Sequence, residues 1–112
     1  MGISIGKTAL ASAILVASLG AATVAQAKPA DCYTSDDGNY PCNFSGTDGS
    51  GSFRATQPGY PAITLEVESP GVAWVFKYIG GRNVALPGPY YRASDDGACW
   101  DNPDTGDRLC VW

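Results

Sequence analysis

The chain has 112 residues, with eleven acidic against seven basic side chains, a net charge of −4 and no histidine. A negative balance argues against nucleic acid, which needs a concentrated positive footprint, and against anionic membrane surfaces. Without histidine the usual general base is missing, along with the Ser-His-Asp and Cys-His arrangements and most zinc sites.

Residues 1–27 read as a cleavable export signal. A short start carries Lys7, an apolar stretch runs from Ala9 to Val24, and Ala25-Gln26-Ala27 offers small residues where a signal peptidase cuts. The stretch is short of the ~20 apolar residues of a membrane span. No cysteine follows it in the setting of a lipid anchor. Cleavage would leave residues 28–112 as a single domain with no membrane span. Lys7 would leave and no acid with it, so six bases would face eleven acids, a net −5.

A domain of this size has a marginal core and gains from covalent help. Cys32, Cys42, Cys99 and Cys110 make an even count in an exported chain, which reads as two disulfides. Local pairing, Cys32 with Cys42 and Cys99 with Cys110, is favoured. Each bond would then close a short loop and contribute roughly 2–3 kcal/mol by loop entropy. The long-range connectivities stay open.

Beyond residue 27 no helical periodicity appears, and short β-prone runs alternate with turn signals. Thr47-Asp48-Gly49-Ser50-Gly51 is a loop, and Ser52 to Thr56 a strand. Ile63 to Tyr78 reads as a hairpin about Pro70-Gly71. With a two-residue loop, Val67 faces Trp74, Leu65 faces Phe76 and Ile63 faces Tyr78 on one apolar face. Glu66 and Glu68 share the other. Pro-Gly favours a type II turn, which two-residue hairpins avoid, so a bulge or a longer loop could enter. Gly80-Gly81 turns Arg82 to Leu86 back, with Val84 opposite Lys77 and Leu86 opposite Val75. Apolar residues on both faces point to a covered sheet or a curled barrel. Pro87-Gly88-Pro89 reads as a turn, Tyr90 to Ala93 as a strand and Arg108 to Trp112 as a terminal strand. Ser35-Asp36-Asp37-Gly38 recurs as Ser94-Asp95-Asp96-Gly97, which suggests two similar disulfide-closed turns.

No C-x-x-C pair, phosphate loop or dinucleotide fingerprint is present. Glu66 and Glu68 are the one carboxylate pair that glycoside hydrolysis could use, although a solvated strand face is the favoured reading. Asp36-Asp37-Gly38-Asn39 and Asp101-Asn102-Pro103-Asp104 are acidic turns without EF-hand spacing. The sequence requires no metal and no cofactor. The residue types that carry binding energy gather in the C-terminal half. Arg82, Tyr90, Tyr91, Arg92 and Trp100 form the candidate binding surface, although aromatics of this kind equally serve a disulfide-rich domain as cover for its small core.

At Tyr40-Pro41-Cys42 the chain resembles the small exported inhibitors of C-type lysozyme, which open an eight-stranded barrel with Tyr-x-Cys and place another cysteine near the C-terminus. The resemblance implies a Cys42–Cys110 disulfide and a lysozyme partner. The family's Ser-Gly-x-x-Tyr-like loop has no counterpart here, where Ser69-Pro70-Gly71 is followed by Lys77-Tyr78, so no inhibitory residue carries over.

The expectation is an exported, all-β domain, a small antiparallel meander, barrel or sandwich held by two disulfides. Its expected role is non-enzymatic binding of a protein or a cell-envelope component, in the periplasm or outside the cell. A lysozyme-inhibitor-like protein, a small glycan-acting enzyme and a structural envelope protein are the alternatives.

Overall fold

The computed structural model describes residues 27–112. The export signal expected over residues 1–27 thus lies, apart from Ala27, outside the described residues. Nine strands follow one another: β1 (Lys28–Thr34), β2 (Gly38–Gly46), β3 (Phe53–Thr56), β4 (Ile63–Ser69), β5 (Val72–Ile79), β6 (Arg82–Ala85), β7 (Tyr90–Arg92), β8 (Cys99–Asp101) and β9 (Arg108–Val111). All pairings are antiparallel. The sheet runs β4-β3-β2-β1-β9-β8-β7-β5-β6 and closes on itself through β4 and β5. The result is an all-β barrel with eight staves, because β6 and β7 lie end to end along one edge of β5. Among the described residues there is no helix, and none long and apolar enough to cross a membrane.

Closure removes the free edges of a small sheet and gives its alternating side chains one shared interior. Cys32, Tyr40, Cys42, Phe53, Ala55, Ile63, Leu65, Ala73, Val75, Tyr90, Trp100 and Leu109 fill that interior. The disulfides are the local ones. Cys32–Cys42 staples the β1–β2 hairpin on the inner face, and Cys99–Cys110 staples the β8–β9 hairpin on the outer face, beside Ala93 and Tyr33. The Cys42–Cys110 bond implied by the lysozyme-inhibitor likeness is not formed. Nor are the two Ser-Asp-Asp-Gly runs equivalent. The first is the β1–β2 turn inside its disulfide loop, whereas the second precedes Cys99 and lies outside its own.

The β4–β5 hairpin corrects the expected register. Ser69 pairs with Val72 across Pro70-Gly71, but Val67 pairs with Ala73, so Glu68 is an extra residue, a bulge. Leu65 then opposes Val75, and Ile63 opposes Lys77. One inserted residue moves every β5 side chain to the other face. Trp74, Phe76 and Tyr78 therefore point outwards, and Ala73 and Val75 point in. The cause is turn chemistry. Gly71 sits at φ +77°, the left-handed second position of a Pro-Gly type II turn, and the bulge restores the strand twist that this turn lacks.

The second hairpin forms as expected. Gly80 and Gly81 both adopt positive φ, Val84 opposes Lys77, and Leu86 N–H donates to the Val75 carbonyl at 2.9 Å. Pro87-Gly88-Pro89, by contrast, does not reverse the chain. With Leu86 bonded to Val75 and Tyr90 opposite Ala73, these three residues stand opposite Trp74 alone. They are a bulge between β6 and β7, not a turn.

Pro41 sits in the interior of the longest strand without breaking it. Asp31, its partner, exchanges both backbone hydrogen bonds with Trp112. The proline nitrogen therefore faces away from β1, on a stretch of β2 that β3 does not reach, since β3 pairs only from Asn43 onwards.

Candidate functional site

Two surfaces of the barrel present chemistry. The first is its open end, where β1, β5 and β9 meet the turns between strands. A cavity of about 180 Å³ lies there. Ile63, Val75, Leu86 and Leu109 supply an aliphatic floor, continued outwards by Ile79, which is half exposed. Tyr90 closes one side. Its burial raises the phenol pKa, and the carboxylates of Asp107 and Asp36 add to the rise.

The charges at this end are partly matched. Lys77 points inwards from β5 with its side chain only 11% exposed, and its Nζ lies 3.2 Å from Asp36 Oδ2 in the β1–β2 turn. That turn is held by Thr34, whose Oγ1 accepts from Asp37 N–H and donates to its carboxylate. Arg108 donates to both oxygens of Asp101 and both of Asp95, which pushes its own pKa up. The Arg108 guanidinium in turn holds Asp95 below the usual carboxylate range. Asp107, also in the lining, takes part in no ion pair among the described residues.

The second surface is the outer face of β5. Val72, Trp74, Phe76 and Tyr78 follow one another on it, at the roughly 7 Å spacing of alternate strand residues. Trp74 is 38%, Tyr78 47% and Tyr91 44% exposed. Tyr91 pairs with Val72 and so extends the row. Glu66 opposes Trp74, and the Trp74 Nε1–H donates to Glu68 Oε1 at 3.0 Å. Glu66 and Glu68 are thus exposed on a convex face beside the aromatics.

The five residues of the expected binding surface do not share a surface. Tyr90 and Trp100 are both 2% exposed and belong to the core. Arg92 caps the far end of the barrel, its guanidinium 4.2 Å from the Trp100 ring and donating to the Gly97 carbonyl. Arg82 is exposed beside the Gly80-Gly81 turn, and Tyr91 alone joins the outer aromatic row. Neither acidic turn brings three metal-ligating side chains together among the described residues. The apolar alternation puts Trp74, Phe76 and Tyr78 on the face of Val67, Leu65 and Ile63, and only the Pro-Gly conflict signals otherwise. The Lys77–Asp36 pair spans 41 residues and had no local signal. Compared with known protein families, curated proteins and solved structures, the chain matches none.

Proposed function

We propose that the domain is a non-enzymatic binding module that presents the outer face of β5 to a basic protein partner. One observation carries this reading: the barrel keeps Ala73 and Val75 inside and sets Trp74, Tyr78 and Tyr91 out in water. Exposed tryptophan and tyrosine in a contiguous row are expensive to leave uncovered and are the residues that dominate interface energy. Glu66 and Glu68 beside them, with the acidic balance of the whole chain, complement a positive surface and speed its approach. Two disulfides in a small β domain are consistent with a site of action in an oxidising compartment, reached through the export signal. A sharper form of the reading, inhibition of a C-type lysozyme, is supported by the eight-staved barrel and by the charge complementarity of an acidic domain with a basic enzyme.

The test is affinity capture from envelope and host extracts, run in parallel with the oxidised domain and with its Trp74→Ser, Tyr78→Ser variant. A basic protein held by the first and lost by the second, and released by raised salt, is the expected result. Equal retention by both would place the binding face elsewhere. A lysis assay at micromolar protein decides the lysozyme form separately.

A further inference from the structure

The open end of the barrel differs in chemistry from the aromatic face and shares with it only the register of β5. Three features coincide there. The cavity of about 180 Å³ exceeds the roughly 150 Å³ at which an apolar protein cavity accepts a benzene-sized guest. Its floor is aliphatic, and the apolar surface continues onto Ile79, which is half exposed. Four charged side chains line it, and three of them are paired within the fold: Lys77 and Asp36 with each other, and Arg108 with Asp95 and Asp101. The carboxylate of Asp107 remains. A guest must therefore be apolar at one end and positive at the other.

We propose that this open end is a binding pocket for a short aliphatic ammonium group, its alkyl part on Val75, Ile79 and Leu86 and its charged head at Asp107. A free alkylamine and the side chain of a lysine carried by a peptide share this chemistry. Burial is the main cause of the raised Tyr90 phenol beside the cavity, and the nearby Asp107 carboxylate adds to the rise. Lys77 opposes a cationic guest only to the extent that Asp36 fails to neutralise it.

The proposal is tested by methyl and amide NMR titration of the oxidised domain. The probes are n-propyl-, n-butyl- and n-pentylammonium, butyrate, trilysine and Nε-acetylated trilysine. Saturable shifts at Ile79, Val75 and Leu86 are expected with the alkylammonium ions, tightening about two- to fourfold per methylene. Butyrate should bind more weakly than butylammonium. Trilysine binding that acetylation removes would assign the pocket to a peptide lysine. Binding of the free amines alone would assign it to small amines. Asp107→Asn alters no backbone hydrogen bond and should weaken butylammonium about five- to tenfold. Lys77→Met frees Asp36 and should strengthen it. Butyrate binding as tightly as butylammonium, a Lys77→Met variant that binds the cation less well, or no saturable shift up to about 50 mM would overturn the proposal.

Discussion

Asn102 is buried and spends its side-chain amide on the backbone around it. Its Nδ2 donates to the Pro87 carbonyl at 2.6 Å, and its Oδ1 accepts from Asp104 N–H at 2.9 Å and Thr105 N–H at 3.3 Å. It ties the β8–β9 loop to the bulge between β6 and β7. Gly88 in that bulge has φ +64°, a left-handed conformation that favours glycine, and its Cα faces the exposed Asp104 carboxylate of the β8–β9 loop. Asn102→Ala strands two donors and an acceptor at once. Urea unfolding should show a loss of about 1–3 kcal/mol with an unchanged slope. A loss below about 0.5 kcal/mol would mean that the tie is idle. The neighbouring aromatics divide by position. Tyr90→Ala and Trp100→Ala empty the core and should cost about 3–5 kcal/mol each, while Tyr91→Ala should stay within about 1 kcal/mol. The sequence placed all three on one surface because composition alone does not distinguish an aromatic under a strand from one on top of it. Asn102 resembled an ordinary turn former, and its burial depends on Pro87, fifteen residues away.

At the level of elements, the hairpins were legible wherever a turn had one solution. Gly80-Gly81 fixes two left-handed residues, and its register follows. At Pro70-Gly71 the turn type and the loop length conflict. The structure resolves the conflict with the bulge at Glu68, and the alternation of apolar residues could not reveal it because both faces of β5 are apolar. β1 and β2 were illegible for another reason. Pro29, Asp31, Pro41 and Asn43 are poor strand residues, and the two strands exist because a disulfide and closure against β9 and β3 hold them. The loop before β8 has its own ties. Arg108 holds Asp95, while Ala98 N–H and the Trp112 indole hold Asp96, and both carboxyls lie below their usual pKa. A carboxyl whose pKa is lower folded than unfolded adds stability that is complete above the unfolded value and lost as pH falls through the folded one. Stability should therefore decline below about pH 4. Asp95→Asn should make the acid limb of a pH-unfolding profile shallower. An unchanged limb would show that the Arg108 clamp does not contribute.

For the whole molecule, the fold class, the pair of local disulfides and the barrel option were readable because small size, even cysteine count and two-faced apolarity all constrain the same answer. Each disulfide closes a loop of ten or eleven residues, and its removal by a double Cys→Ala change should cost about 3 kcal/mol in thermal or urea unfolding. Against a total of ~5–15 kcal/mol, loss of both should unfold the domain at physiological temperature. A reduced protein that keeps its melting temperature would contradict this. Both the proposed protein-binding face and the lining of the open end depend on the barrel turning the aromatic side of β5 to solvent. Cross-strand nuclear Overhauser effects in the oxidised domain test it most directly. Contacts joining Leu65 to Val75 and Val67 to Ala73 are expected. Contacts joining Leu65 to Phe76 and Val67 to Trp74 instead would put the aromatics inside and contradict it.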